Sequence, residues 1–90
     1  MKKYNITVWG RVQGVYYRAN TKKKAEEIGI LGFVRNQEDG SVYIEAEGDD
    51  QQLQEFLTWC QNGPEGAKVI ELKTQESPLK GFSTFTILYD

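Results

Sequence analysis

The Asp39-Gly40 step constrains this chain more than any other feature. It sits between Ile30-Leu31-Gly32-Phe33-Val34-Arg35-Asn36 and Ser41-Val42-Tyr43-Ile44-Glu45-Ala46-Glu47, with only Gln37 and Glu38 added to the turn. Asp and Gly accept the backbone geometry of a tight reversal, and both flanking runs are rich in β-branched and aromatic residues, so the stretch predicts a hairpin. Two antiparallel neighbouring strands are thereby placed in the middle of the chain, and everything else must fit around them.

On each side of the hairpin the periodicity changes from strand to helix. Tyr17, Thr21, Ala25 and Ile28 recur every three or four residues with Lys22, Lys23, Lys24, Glu26 and Glu27 facing outward, and Gly29 stands at the end, which predicts a helix from about Arg18 to Ile28. Before it, Tyr4, Ile6 and Val8 alternate with Asn5, Thr7 and Trp9 as in a strand with one buried face, ending at Gly10. After the hairpin, Asp49 can cap a second helix with Gln52 three residues on. Leu53, Phe56, Leu57 and Cys60 form its apolar stripe, and Asn62-Gly63-Pro64 stops it. Ala67 to Gln75 reads as a fourth strand, Ser77 to Gly81 as a loop, and Phe82 to Tyr89 as a last strand.

The order β-α-β-β-α-β with an added fifth strand implies a ferredoxin-like α+β sandwich, with two helices packed on one face of the sheet. A chain of 90 residues is expected to form a single domain spanning residues 1–90. In this topology strands one and two run in the same direction with strand three between them. Their C-terminal ends then share one edge of the sheet, roughly 10 Å apart at ~4.8 Å per strand. The first end is the loop from Gly10 to Arg18 and the second is Asn36, so both should face one crevice.

Composition removes several function classes. The chain has no histidine, which excludes phosphohistidine chemistry, His-based acid/base catalysis and His-ligated zinc; its one cysteine, Cys60, excludes a CxxC metal site. No metal site is expected. Eleven basic against 13 acidic residues leave no global basic field, so no nucleic-acid partner is expected. No apolar run approaches the roughly 20 residues of a membrane span, and Met1-Lys2-Lys3-Tyr4 opens no signal-peptide core. A cytoplasmic monomer with no membrane association is the expectation.

The stretch Trp9-Gly10-Arg11-Val12-Gln13-Gly14-Val15-Tyr16-Tyr17-Arg18 joins the first strand to the first helix through two glycines and two arginines. Backbone N–H groups at a helix start lack intrahelical partners and favour an anion, and arginine adds a forked permanent cation. The loop is neither a Walker loop nor a dinucleotide fingerprint, since both patterns are missing. Local chemistry alone leaves two readings: an anion cradle, or a tight connection with solvated arginines.

Gly10-Arg11-Val12-Gln13-Gly14-Val15-Tyr16-Tyr17-Arg18, followed by Gly32-Phe33-Val34-Arg35-Asn36-Gln37-Glu38-Asp39-Gly40-Ser41-Val42 and then Gly48, resembles the two paired signatures of the acylphosphatase family. The resemblance covers nearly the whole chain, including its order of elements. It departs at Tyr17, where the family usually has phenylalanine or methionine. It implies metal-independent hydrolysis of an acyl phosphate to a carboxylate and inorganic phosphate, with no cofactor and with phosphate as product and inhibitor. By position, Arg18 and the backbone of Gln13, Gly14, Val15, Tyr16 and Tyr17 would bind the phosphoryl oxygens, and Asn36 would orient the attacking water.

The remaining candidates have plainer roles. Cys60 reads as a packed thiol, Glu38 and Asp39 as turn residues, and Thr21 as either a helix-face residue or a hydrogen-bonding support for the loop. Trp9, Tyr16 and Tyr43 read as surface aromatics, and Arg11 as a solvated charge or an influence on the substrate. Two rivals share the fold. An RNA-recognition module would need its aromatic motif on strand three, but Gly32-Phe33-Val34 lies on strand two while strand three carries Glu45 and Glu47. A regulatory ligand-binding or assembly module has no supporting feature.

Overall fold

The computed structural model describes residues 1–14 and 16–89; Val15, one of the residues expected at the phosphate, lies outside the described residues. The elements are β1 (Lys2–Arg11), α1 (Tyr17–Ile28), β2 (Leu31–Asn36), β3 (Val42–Gly48), α2 (Asp50–Asn62), β4 (Lys68–Ser77) and β5 (Phe85–Leu88). They form one sheet in the order β4-β1-β3-β2-β5. β3 is antiparallel to both β1 and β2, which makes those two parallel to each other across it, as the topology required. β5 adds to the outer edge of β2 in parallel, a position the sequence left open.

Strand alternation decides which side chains meet the helices. Ile6 and Val8 of β1, Val34 of β2, and Val42, Ile44 and Ala46 of β3 are fully buried, each large one contributing about 1.5–3 kcal/mol by leaving water. α1 packs on β2 and β5, and α2 on β1, β3 and β4. Phe56 of α2 meets Phe85 of β5 edge to face, 6.1 Å between ring centres. No helix among the described residues is long and apolar enough to cross a membrane.

Several boundaries differ from expectation. β1 does not stop at Gly10 but continues to Arg11, passing the glycine through a register shift against β4. β4 runs on to Ser77, which pairs with Lys3. β5 begins at Phe85 and not at Phe82, because the backbone before it is engaged elsewhere. The Glu47 carboxylate, only 1% exposed, accepts hydrogen bonds from the N–H groups of Lys80 (2.6 Å), Gly81 (3.1 Å) and Phe82 (2.9 Å). An anchored loop replaces the first residues of the expected strand.

Glu45 is satisfied in a similar way. Its carboxylate pairs with the ammonium groups of Lys3 at 2.8 Å and Lys80 at 3.0 Å and accepts a hydrogen bond from the Tyr43 hydroxyl at 2.7 Å. Burial pushes the Glu45 carboxyl up, but Lys3, Tyr43 and Lys80 outweigh it and hold it at about 2. Burial also raises Glu47, and the Lys80, Phe82 and Gly81 N–H groups outweigh it in turn. Both folded pKa values thus lie below the ordinary glutamate value of about 4.3, so the stability they confer is present above it and is lost as pH falls toward about 2. An acid titration of the melting temperature should show a decline beginning below about pH 4.5, shallower in a Glu45→Gln/Glu47→Gln double variant. A wild-type melting temperature flat across that range would contradict this account.

Candidate active site

The cradle begins where β1 leaves the sheet. Val12 is buried and pins the loop to the core, while the Gln13 side chain crosses to the hairpin. Its Nε2 donates to the carbonyl oxygens of Gln37 and Ser41, each at 2.8 Å. Gln13 was expected at the phosphate through its backbone. Its side-chain amide, separately, fastens the loop to the turn that follows Asn36, a role no spacing in the sequence signals. The turn itself is held by Asp39, whose carboxylate accepts from the Ser41 N–H and hydroxyl. Those bonds keep the Asp39 carboxyl below its ordinary range, as befits the expected turn role.

The two helix starts differ in a way that bears on chemistry. α2 satisfies its own N-terminus: Asp49 accepts from the Gln52 N–H and Gln52 returns the bond to the Asp49 N–H. At α1 the N-cap is Tyr16, which has a left-handed backbone (φ 59°, ψ 25°) and makes no side-chain cap, and the first turn holds no acidic residue. A bulky residue in that conformation carries strain on the order of 1–3 kcal/mol, of the kind that collects at functional sites. Among the described residues, the N–H groups of Tyr17, Arg18 and Ala19 have no acceptor, and they lie at the positive end of the helix, where an anion is favoured.

Below this opening the helix is tightly seated. Tyr17 is 1% exposed, its ring lies 5.6 Å from that of Trp59, and its hydroxyl donates to the Cys60 carbonyl at 2.7 Å. The hydroxyl that departs from the usual residue type is therefore both buried and satisfied. Burial, together with Cys60, pushes its pKa far up. The Thr21 hydroxyl donates to the Tyr17 carbonyl at 2.6 Å, a bond back along α1 and not to the loop, so of its two readings the structure favours the buried helix-face residue. Cys60 is fully buried, its thiol pushed up by burial. It is a packed side chain, as expected.

A cavity of about 350 Å³ opens above the helix start, lined by Val12, Gly14, Tyr16, Tyr17, Arg18, Ala19, Asn36 and Tyr89. It brings together Arg18 and Asn36, 18 positions apart in the sequence, along with Gly14, Tyr16 and Tyr17. Gln13 and Arg11 are not in the lining. Arg18 is the one charged side chain among the described lining residues, and its guanidinium lies over the Tyr89 ring, 4.8 Å from the ring centre. Sequence reasoning gave Tyr89 no role beyond ending the last strand, because its place at the site follows from how β5 joins the sheet. One cation, one neutral amide and uncapped N–H groups suit a small oxyanion.

Comparison with known proteins bears on the family and the fold. The family model described as Acylphosphatase matches residues 4–87. An acylphosphatase from Methylococcus capsulatus is 45% identical over 91 residues, covering 100% of this chain and 99% of that protein. One from Marinobacter nauticus is 50% identical over 78 residues, covering 87% of this chain and 85% of its own. The crystal structure of acylphosphatase from Bacillus subtilis superposes with a TM-score of 0.96 at 40% identity, over 99% of this chain and 100% of that one. With its fold, both sequence signatures and its near full-length relatives in agreement, the chain belongs to the acylphosphatase family of hydrolases.

Proposed function

We propose that this chain hydrolyses acyl phosphates without a metal, and that Arg18 and the loop backbone of residues 13–18 hold the phosphoryl group while Asn36 orients the attacking water. The observation that carries this reading is the convergence of Arg18, from the first turn of α1, and Asn36, from the end of β2, on one cavity beside the start of α1. The guanidinium and the first-turn N–H groups bind the phosphoryl oxygens and stabilise the charge they gain in the transition state. The Asn36 amide can accept from and donate to a water, but it is no strong base. Water oxygen bonds to phosphorus, the bond from phosphorus to the acyl oxygen breaks, and the carboxylate leaves with the bonding electrons. The water's proton passes to an oxygen of the substrate's own phosphate, since no carboxylate or histidine stands among the described lining residues. Such a reaction asks mainly for position and charge stabilisation, because the leaving group is already good.

All the residues proposed for the site come from one chain, so a monomer suffices, acting as a single domain. Its buried thiol is in keeping with a reducing cytoplasm. The purified protein in EDTA should hydrolyse benzoyl phosphate, with inorganic phosphate as a competitive inhibitor. Activity that appears only on adding Mg²⁺ would sink the reading.

A further inference from the structure

The cavity is larger than a phosphoryl group requires. At ~30 Å³ for each water-sized group, a phosphate with four oxygens occupies ~120 Å³, about a third of the 350 Å³ present. The remainder is left for the acyl part of the substrate. Val12, Tyr16 and Tyr89 supply apolar surface around it, and Arg18, already assigned to the phosphate, is the only charge among the described lining residues.

Tyr89 is the wall that stands out. It follows β5 directly, and the parallel pairing of β5 with β2 carries it to the strand end where Asn36 sits. Tyr89 is 73% exposed, and its ring has the Arg18 guanidinium over it, 4.8 Å from the ring centre. A cation over a ring face is attracted by the ring's quadrupole, and a guanidinium carries five N–H donors for other partners. The contact therefore sets an aromatic surface beside the cation assigned to the phosphate. We propose that Tyr89 is a specificity-determining residue whose ring forms the acyl-side wall and selects acyl phosphates with an uncharged aromatic acyl group. The inference rests on the hydrolytic reading above. An anionic acyl group finds no second cation among the described lining residues, and a small aliphatic one covers less of the ring.

The test compares kcat/KM for benzoyl phosphate and acetyl phosphate in wild type, Tyr89→Ala and Tyr89→Phe. The two substrates differ in intrinsic reactivity, but that difference cancels when their ratio is compared between variants. Tyr89→Ala should lower the benzoyl-to-acetyl ratio by roughly tenfold, the scale of a lost aromatic pair with its buried area. The loss should appear chiefly as a higher KM for benzoyl phosphate, since a contact equal in ground and transition states leaves kcat alone. Tyr89→Phe should keep the ratio within about twofold of wild type, because the ring is retained. A ratio unchanged in Tyr89→Ala overturns the inference, even where both substrates slow together through Arg18, and so does a ratio lost equally in Tyr89→Phe. In either case wild-type hydrolysis leaves the hydrolytic reading standing. Wild type inert toward both substrates takes both readings down.

Discussion

Replacing Arg18 with alanine is expected to lower kcat/KM for benzoyl phosphate by on the order of 10²–10³-fold, the cost of removing a preorganised transition-state donor. The loss should be felt in binding as well as in turnover, because Arg18 is the only charge among the described lining residues. KM should rise, kcat should fall, and inhibition by inorganic phosphate should weaken. Arg18→Lys should restore only part of the activity, since an ammonium is a point charge and cannot grip two oxygens in a fork. Asn36→Ala provides the contrast. It should cost about 10²-fold, mainly in kcat, while phosphate inhibition persists, because in the proposed mechanism the amide serves the water and not the phosphoryl group. Neither side chain belongs to the buried core, so circular dichroism and urea midpoints should stay near wild type. Full activity in both variants would refute the assignment of the site.

Gly32→Ala should be the most damaging single methyl that can be added to this sheet. An added Cβ would stand 1.8 Å from the Glu45 carbonyl oxygen, 2.8 Å from its carbonyl carbon and 3.3 Å from the Ala46 Cα, at a backbone φ of +147°. All three atoms belong to the backbone of β3, the central strand, so none can yield without opening the pairing of Gly32 with Ala46. We expect a loss of about 3–4 kcal/mol in urea unfolding, at the upper end for single substitutions. Gly40→Ala is the control. It also has a positive φ, +92°, but nothing lies within 4 Å of the added carbon, so only the left-handed penalty of about 1–2 kcal/mol applies. Equal costs at the two positions would show that the close approach to β3 is not what requires glycine at 32. Because β2 ends at Asn36, Gly32→Ala protein that still folds should also lose activity.

Patterns governed by neighbours in the chain were legible from the sequence. The Asp39-Gly40 turn, the alternation of Ile6 and Val8, the stripe of Leu53, Phe56 and Cys60, and the Asp49–Gln52 cap all appear where local geometry placed them. So does the topology that sets Arg18 and Asn36 at one edge, because a hairpin flanked by two helices leaves few ways to order the strands. Glycine and acidic residues were harder to read. Gly10 looked like a stop yet sits in a continuing strand. Glu45 and Glu47 counted in the sequence only against an RNA-binding strand three; they are in fact buried, because their partners, Lys3, Lys80 and three N–H groups of the loop after β4, are brought to them only by folding.

By itself, then, the sequence determined the elements, their order, the hairpin and the two signature segments that face each other. These depend on periodicity, turn chemistry and capping, which act over a few residues. Only the tertiary structure decided that Gln13 ties the cradle to the hairpin, that Glu47 replaces the start of the last strand with an anchored loop, and that β5 docks parallel to β2 and sets Tyr89 against Arg18. Each of these joins residues 24 or more positions apart. Which donor meets which acceptor at that distance is settled by how the sheet closes and which polar groups burial forces to find a partner.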